Sequence, residues 1–442
     1  MKPANLPVFF YALLLTTACT DSPSSQEENS TREDIGVVVD SLKLPKPYQT
    51  KSSKNFSKVV GWQEGETPVA PAEFVVTKFA DNLKSARWIY VLPNGDVLVS
   101  QANTDPSITK KIGMEIIGAG HSEHVGNSPN CITLLRDTNK DGTPDLRETF
   151  LSDLNQPFGM LLIGNDFYVA VTDGLWKYSY KTGDTKIKGE GKKILDLPAG
   201  GYNNHWTRNI ITNKNQSKIY ISVGSGSNVA EHGMDNEVRR ANILEINPDG
   251  SGERVYASGL RNPVGMDWAT GTNTLWTAVN ERDELGDDLV PDYLTSVKEG
   301  GFYGWPYSYW GQNLDPRIAD KDKRPDLIAK AITPDVSLGS HTASLGLAFY
   351  NGKKFPARYQ GGAFIGQHGS WNRKDIVGYK VVFVPFKNGK PSGPPEDFLT
   401  GFIADASDSK VHGRPVGVKM LPDGSLLVAD DAADMVWRVA VK

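Results

Sequence analysis

The chain has 442 residues, which is long for one ordinary domain, and its formal net charge is −4. The negative charge and the lack of a basic stretch argue against a nucleic-acid partner. Hydrophobic residues make up 39% of the chain, with 44 glycines and 27 prolines, a composition that suits short strands joined by many turns.

The N-terminus is predicted to be a targeting segment rather than part of the fold. An apolar run, LPVFFYALLLTTA, is too short for a membrane span and ends at Cys19. Small residues before this cysteine indicate a bacterial lipoprotein signal over 1–18, with a lipidated Cys19 holding the protein on the periplasmic side of a membrane. The alternative is an ordinary secretory signal with an incidental cysteine, which leaves the protein secreted to the periplasm. The polar tract 19–35 is typical of a flexible tether, and residues 36–74 form an N-terminal extension.

From residue 75 to the end, one hairpin pattern recurs six times at a spacing of several tens of residues. Each copy reads as an apolar strand with small residues, a polar turn, and a second strand with alternating apolar positions. The copies begin at Ser85, Asn155, Asn204, Arg261, His341 and Arg414. Six repeated antiparallel units predict an all-β domain over 75–442, a six-bladed β-propeller.

Polar residues stand at the ends of these hairpins. Both ends of a hairpin lie on one edge, so with the first strands innermost they meet at the mouth of a central channel. The leading residues are Arg87, Gln156, His205, Arg261, His341 and Arg414. The residues that follow the second strands are Gln101, Asp173, Ser225, Glu281, His368 and Asp430. Three arginines and at least two histidines at one rim predict a site for a polyanionic ligand.

The segment DTNKDGTPDLRE, residues 137–148, has the oxygen spacing of a calcium loop, with Gly142 at the sharp turn. Its flanks are strand-like, so the pattern predicts a strand–loop–strand site that holds Ca²⁺ structurally. The alternative is a solvated acidic turn. The candidate ligands are Asp137, Asn139, Asp141, Asp145 and Glu148.

The rim also holds the candidate catalytic and cofactor-binding residues. His205, in GGYNNHWTRN, is predicted to act as a general base, with Arg208 close by to bind or orient charge. The alternative is a hydrogen-bonded structural histidine. Arg261 and Asn262 open the fourth hairpin, and Arg414 repeats the pattern two hairpins later. An arginine can hold a carboxylate through two hydrogen bonds, although it can also pair with an aspartate of a neighbouring blade.

Two further segments follow strands at the same rim. In NERDELGDDLVPD, Glu281 and Asp283 could hold a second cation, while the alternative is a solvated acidic loop. The next segment, EGGFYGWPYSYWGQ, is rich in glycine and aromatic residues that either stack on a ligand or pack in the core. After the fifth hairpin, GQHGSWNRKD places Arg373 and Lys374 where a cation would face the channel.

These motifs together resemble the PQQ-dependent aldose/sorbosone dehydrogenase family, relatives of soluble quinoprotein glucose dehydrogenase. The resemblance covers about residue 75 to the end and depends on NQPFGM, NHWTRN, GLRNPVGMDW, NERDELGDD, GGFYGWP, QHGSWNR and GRPVGV. It implies that PQQ lies flat on the channel mouth, with its carboxylates held by arginines. It also implies that His205 takes the proton of a sugar hydroxyl while hydride passes to the quinone, and that a cofactor-bound Ca²⁺ polarises the quinone.

The resemblance extends to individual residues. His205 matches the catalytic base, and the Glu281–Asp283 loop matches the region of the cofactor's Ca²⁺, although the family's Gly-Pro pair is here Arg282-Asp283. The cofactor contacts are expected from Gln156, Arg208, Arg261, Asn262, Arg373 (or Lys374) and Arg414.

The sequence therefore predicts a PQQ-dependent oxidoreductase acting on a sugar or related alcohol, with an electron acceptor that the sequence does not identify. Two alternatives share the fold: a calcium-dependent lactone hydrolase and a non-catalytic binding lipoprotein. The first would need carboxylate and asparagine ligands that converge at the rim without a cluster of arginines.

Overall fold

Strands dominate the computed structural model, which describes residues 42–104, 126 and 128–442. The predicted signal, Cys19 and the tether lie outside the described residues. Helix in the described part is limited to α1 (Pro325–Ile328) and three 3₁₀ turns, at Met234–Glu237, Asp320–Asp322 and Ala357–Tyr359. None of the helices within these ranges is long and apolar enough to cross a membrane. The prediction of an all-β protein is confirmed.

Most strands of the described chain belong to six sheets, numbered here in chain order. Sheet 1 contains β3 (Ala86–Val91), β4 (Val97–Gln101), β5 (Cys131–Arg136) and β6 (Leu146–Leu151). Sheet 2 contains β7 (Met160–Ile163), β8 (Asp166–Val171), β9 (Gly174–Ser179) and β10 (Lys192–Asp196). Sheet 3 contains β11 (Ile210–Thr212), β12 (Ile219–Val223), β13 (Asn242–Ile246), β14 (Arg254–Ser258) and β18 (Gly301–Phe302).

The last three sheets have the same plan. Sheet 4 contains β15 (Pro263–Trp268), β16 (Leu275–Val279), β17 (Pro291–Ser296) and β21 (Val336–Ser340). Sheet 5 contains β22 (Ala348–Phe349), β23 (Ala363–Gln367), β24 (Lys380–Val384) and β27 (Glu396–Leu399). Sheet 6 contains β30 (Pro415–Met420), β31 (Leu426–Asp430), β32 (Met435–Val441) and β2 (Phe74–Ala80). The short strands outside these sheets are β1 (Lys58–Val59), β19 (Ser308–Tyr309), β20 (Asn313–Leu314), β25 (Phe386–Lys387), β26 (Lys390–Pro391), β28 (Ile403–Asp405) and β29 (Lys410–Val411).

Each predicted hairpin forms the first two strands of one sheet. The pairs are antiparallel, and their register places the two rim ends opposite each other, as with Ala86 and Gln101 or Pro415 and Asp430. The polar residues that precede and follow a hairpin therefore share one edge of the described domain.

The second strand of each hairpin is buried on both faces because neighbouring sheets pack face to face. In β31, Leu426 and Val428 pack with side chains of sheet 5, whereas Leu427 and Ala429 pack with side chains of sheet 1. This alternation follows from the two-residue period of a strand. The same arrangement joins each sheet to the next in the chain. In sheet 6, the N-terminal strand β2 pairs with the C-terminal strand β32. Sheet 6 therefore joins the two ends of the domain.

Small residues let the first strands of successive sheets approach closely. A Cβ on Gly159 would lie 2.6 Å from the nitrogen of Ile210, and a Cβ on Gly417 would lie 2.7 Å from the oxygen of Arg87. This explains the glycines in PFGM and PVGV. The first strands and their approaches share one apolar cluster, made of Trp88, Ala102, Phe158, Trp206, Val264, Leu345 and Val416. The polar hairpin ends lie around this cluster.

Candidate active site

The hairpin ends surround a cavity of about 280 Å³. Trp206 and Leu345 of the shared apolar cluster form part of its wall, and each of them is less than a tenth exposed. The remaining wall is mainly polar and includes Arg87, Asn204, His205, Arg261, Asn262, Asn280, Asp283, His341, His368, Asn372 and Arg414. The structure thus brings together His205, Arg261, Asn262 and Arg414, which the sequence selected separately.

His205 has the contacts expected of a general base. Its Nδ1 lies 2.8 Å from the carbonyl oxygen of Ser225, which can only accept, so Nδ1 carries the proton in the neutral ring. Nε2 is then the basic nitrogen, and it makes no hydrogen bond within the described residues. Burial, with the charge of Arg261 as the next cause, lowers the pKa of His205 to about 3. The ring is therefore neutral at pH 7 and able to accept a proton.

Arg208 contacts the backbone of the segment that carries His205 and does not line the cavity. Its guanidinium donates to the carbonyl oxygens of His205 at 2.8 Å, Thr207 at 2.9 Å and Pro198 at 2.7 Å. Because Arg208 does not line the cavity and its terminal nitrogens bond the backbone around His205, the contacts assign Arg208 to positioning His205 rather than to touching a ligand.

Arg261, which also lines the cavity, is fixed in place by hydrogen bonds. Its guanidinium donates to the carbonyl oxygen of Glu281 at 2.6 Å, to Oδ1 of Asn228 at 2.9 Å and to the Asp283 carboxylate at 3.2 Å. The other oxygen of Asp283 lies 3.2 Å from Nδ1 of His341. Burial alone would raise the pKa of Asp283, but His341 and Arg261 outweigh it and lower that pKa. Burial would lower the pKa of His341, yet the contact with Asp283 raises it overall.

A second charged group lies across the cavity. Asp431 forms an ion pair with Arg87 and accepts a hydrogen bond from Nε2 of His368 at 2.8 Å. Burial and the charge of Arg414 lower the pKa of His368 to about 3, so its ring is neutral. Arg414 donates to the carbonyl oxygens of His368 at 3.0 Å and Gly369 at 3.2 Å.

The charges in the cavity favour an anionic ligand. Three arginines, Arg87, Arg261 and Arg414, line the described cavity with one carboxylate, that of Asp283, while the carboxylate of Asp431 pairs with Arg87. The arginines therefore outnumber these carboxylates. Two buried polar atoms here, Oδ1 of Asn262 and Nε of Arg87, have no hydrogen-bond partner in the described part of the chain. Buried polar groups are usually paired, so these two atoms indicate a polar ligand at this position. The donor set fits a planar polycarboxylate.

The acidic loop at the rim does not bring Glu281 and Asp283 together as ligands of one cation. The Glu281 carboxylate pairs with Arg282 at 2.9 Å, and Arg282 also pairs with Asp315 at 3.0 Å, all three side chains being fully buried. The backbone oxygen of Asp283 accepts from Arg317 at 2.7 Å. One oxygen of each carboxylate thus faces a guanidinium, the other oxygen of Asp283 faces His341, and Oε1 of Glu281 has no hydrogen-bond partner within the described residues. The positive charges of Arg261 and Arg282 beside these oxygens disfavour a divalent cation here.

Two other predicted contacts do not line the cavity. The Gln156 amide donates to the oxygen of Asn103 at 2.8 Å and accepts from Thr172 at 3.0 Å, so both ends of the amide hold neighbouring strand ends. Arg373 pairs with Asp288 at 3.1 Å, outside the wall of the cavity.

The calcium-like loop at 137–148 lies elsewhere, between β5 and β6. The Asp137 carboxylate accepts from the amides of Asp141 at 3.2 Å and Gly142 at 2.7 Å, and Glu148 pairs with Lys186 at 2.7 Å. Among the residues that the structure describes, no three His, Cys, Asp or Glu side chains are arranged to hold a metal ion. The loop's carboxylates instead cap its own backbone.

Sequence reasoning placed Arg87, His341 and His368 at the rim but gave them no individual role. Asp431, rather than its neighbour Asp430, contacts Arg87 and His368, a difference of one residue that only the coordinates decide. Trp371 lies in the motif QHGSWNR but was given no role, and Phe56 lines the cavity without any motif. In contrast, the aromatic segment after Glu299 packs inward, since Trp305 and Trp310 are 3% and 6% exposed.

Comparison with known proteins agrees with this arrangement. The family model for glucose/sorbosone dehydrogenases matches residues 178–377, and a TrAA12-like model matches residues 314–442. An uncharacterized protein of Borreliella burgdorferi is 31% identical over 303 residues, which cover 66% of this chain and 77% of that protein. An aldose sugar dehydrogenase of Escherichia coli is 31% identical over 132 residues, 30% of this chain but only 33% of that protein. A pyrroloquinoline quinone-dependent pyranose dehydrogenase of Coprinopsis cinerea is 25% identical, over 73% of this chain and 49% of that protein.

Solved structures show the same fold at low identity. The PQQ domain of the Coprinopsis cinerea pyranose dehydrogenase superposes with a TM-score of 0.68 at 19% identity, covering 87% of this chain and all of that domain. A calcium structure of the Trichoderma reesei family AA12 enzyme gives 0.70 at 16% identity, covering 91% and 99%. The protein is therefore an all-β protein with the fold of these dehydrogenases. It is related over most of its length to the Borreliella burgdorferi protein, and its residues 178–377 match the glucose/sorbosone dehydrogenase family.

Proposed function

We propose that the protein is a PQQ-dependent dehydrogenase that oxidises a sugar or related alcohol at the arginine-rich cavity. The observation behind this proposal is that the buried arginines Arg87, Arg261 and Arg414 line the same cavity as the neutral ring of His205. The relatives with names are sugar dehydrogenases, and one of them uses PQQ. The proposal covers sugars and related alcohols as substrates and specifies no particular electron acceptor.

The proposed base is Nε2 of His205. Ser225 fixes the proton on Nδ1, so Nε2 can take the proton of a substrate hydroxyl without a change of tautomer. Bound PQQ supplies an acceptor for the hydride. Burial is the main cause of the low pKa of His205, and the charge of Arg261 is the next cause. A polycarboxylate near Arg261 would offset that charge and so favour the protonated ring during proton transfer.

Arg87, Arg261 and Arg414 would hold the cofactor's carboxylates, with the Asn262 amide contributing a further polar contact. Each guanidinium is already fixed by protein acceptors, so little side-chain freedom is lost on binding. No step is assigned to a cofactor-bound Ca²⁺ here, because the positive charges of Arg282 and Arg317 lie against oxygens of the acidic loop.

We propose that the six sheets are the blades of a six-bladed β-propeller. Support comes from the face-to-face packing of successive sheets, including sheet 6 against sheet 1, and from the apolar cluster that the first strands share. In this arrangement the cavity lies at the mouth of the central channel.

The lactone hydrolase alternative has less support. It requires carboxylates that are available to a metal at the rim, whereas Asp283 and Asp431 each pair with an arginine and a histidine. A non-catalytic binding protein would not need the fixed tautomer of His205.

The test compares His205→Ala with Arg261→Ala in a PQQ titration at fixed sugar concentration. We expect His205→Ala to bind PQQ normally but to turn over about 10²–10⁴ times more slowly. Arg261→Ala should lose about 10- to 150-fold in PQQ affinity and recover activity at high PQQ. Arg358→Ala, an exposed arginine paired with Glu396, is the control and should change neither value. Full turnover by His205→Ala, or an Arg261→Ala variant that excess PQQ cannot rescue, would contradict these roles.

We also propose a structural Ca²⁺ at residues 137–148 and a lipidated Cys19 that faces the periplasm. Both proposals depend on sequence patterns. Cys19→Ser should release soluble protein or leave the precursor uncleaved, and an unchanged membrane fraction would contradict lipidation.

A further inference from the structure

The N-terminal strap, defined here as residues 48–57, runs along the edge of the cavity and contributes no strand to the six sheets. The backbone nitrogen of Tyr48 donates to the oxygen of Leu285 at 2.7 Å, and that of Asn55 donates to the oxygen of Trp371 at 2.8 Å. The strap therefore bridges the acidic loop after β16 and the loop after β23, two loops that contribute residues to the cavity.

Asp287 fixes the middle of the strap. Its carboxylate accepts from the backbone nitrogen of Ser53 at 2.9 Å and from that of Lys374 at 3.0 Å, which ties all three segments together. The oxygen of Ser53 also accepts from the Asn372 amide at 3.2 Å. These bonds fix the backbone of the strap, and none of them involves the side chain of Phe56.

Phe56 forms an aromatic wall with Trp371. The two rings are nearly parallel, at 12°, with centroids 5.7 Å apart, and both line the cavity. Both side chains are partly exposed, whereas Arg261 and Arg414 are each 2% exposed. The cavity thus has a deeply buried cationic part and an aromatic part nearer to solvent.

We propose that the strap supplies Phe56 to the substrate site, where Phe56 and Trp371 pack against the apolar C–H face of a pyranose ring. This inference rests on the proposed function and names its substrate class. A planar polyanionic cofactor is held at the buried guanidiniums, which leaves the partly exposed aromatic wall for the substrate. A sugar ring has one surface rich in C–H groups, and an aromatic side chain buries that surface without competing for its hydroxyls. The wall therefore favours ring-closed sugars over short linear alcohols.

The experiment compares wild type with Phe56→Ala, both loaded with PQQ, in the oxidation of glucose, galactose and xylose with an artificial electron acceptor. We expect KM for the oxidised sugars to rise about 2- to 10-fold in Phe56→Ala, with kcat within about twofold. The Kd for PQQ, measured by absorbance titration, should not change. Phe56→Tyr should restore KM, because it keeps the ring. Tyr48→Ala removes a 56% exposed aromatic from the same strap and is the matched control.

Asp287→Ala tests whether the strap positions Phe56. We expect KM to rise in this variant while kcat is retained, and the double variant Phe56→Ala/Asp287→Ala should have the KM of Phe56→Ala alone, because Asp287 acts through Phe56. An unchanged KM in Phe56→Ala, or a weaker Kd for PQQ in its place, would overturn the proposal. If wild type binds no PQQ or oxidises none of the sugars, the proposed function fails, and the substrate wall fails with it.

Discussion

Two acidic loops with similar sequence signals have opposite physical surroundings in this protein. The segment 137–148 runs from the end of β5 into β6 with Asp141 and Asp145 exposed, and the Asp137 carboxylate accepts from the loop's own amides. The segment 280–292 runs from the end of β16 into β17, where Glu281 is buried, Asp283 is half-buried, and they pair with Arg282 and Arg261. The first retains carboxylates in contact with water, and the second has its negative charges neutralised by guanidinium groups.

The difference shows that counter-charge and burial, rather than carboxylate spacing, decide what an acidic loop can bind. A buried carboxylate needs a partner, because removing it from water is costly. In the buried loop, arginines provide that partner for one oxygen of Glu281 and one of Asp283, and Asp283 in turn fixes the arginine that faces the cavity. In the exposed loop, the aspartates accept from the loop's own amides and hydroxyl groups, and Ca²⁺ binding there is a proposal that its sequence pattern supports.

The largest effect should come from removing the cation of the buried loop. Arg282→Met leaves Glu281 and Asp315 fully buried without their shared guanidinium, and we expect a loss of about 3–5 kcal/mol in the free energy of unfolding. Urea denaturation measures this loss. Arg358→Met, in an exposed pair, is the control and should cost no more than about 1 kcal/mol. Equal losses in the two variants would show that the buried cluster is not a stabilising unit.

A smaller effect is expected from the pH dependence of the His341–Asp283 contact. The folded pKa of His341 is raised above 6.5, so its contribution to stability is complete below pH 6.5 and is lost as the pH rises through the folded pKa. The pKa of Asp283 is lowered from 3.8, so its contribution is present above that pH and disappears only in acid. As the pH rises from 6.5, wild type should therefore lose stability relative to His341→Gln, whose side chain does not titrate.

Unfolding curves of both proteins across this pH range provide the measurement. Asp292, whose pKa burial raises to about 7, interacts with His341, so the difference between the two proteins reports the titration of both groups together. His232→Gln, an exposed histidine outside the cavity wall, should run parallel to wild type. Parallel curves for His341→Gln as well would mean that the pair carries no charge linkage.

The comparison also shows which parts of the molecule the sequence could predict. Hairpins were predictable because alternating apolar residues and polar turns are local signals, and the leading positions of Arg261 and Arg414 placed them at the cavity. The roles of Arg208 and Glu281 were not predictable. A single sequence does not show that the Arg208 side chain contacts the backbone of His205 or that the Glu281 side chain pairs with Arg282. Phe56 reaches the cavity only through contacts with loops more than 200 residues away, which no local pattern encodes.

The smallest effect should follow from removal of divalent cations, and it separates the two loops directly. If Ca²⁺ binds at 137–148, the ion stabilises the folded state by mass action, so EDTA should lower the Tm of wild type by a few degrees at most. Asp141→Ala should not respond, because it lacks one of the alternating ligands around Gly142. The affinity for PQQ should stay within about twofold in EDTA, since Arg261, Arg317 and His341 already surround the oxygens of the buried loop.

Equal Tm shifts in wild type and Asp141→Ala would exclude the exposed loop as the site of Ca²⁺. A PQQ affinity that falls more than tenfold in EDTA would instead place a divalent cation beside the cofactor, and the buried loop would then have to release at least one guanidinium contact to accommodate it.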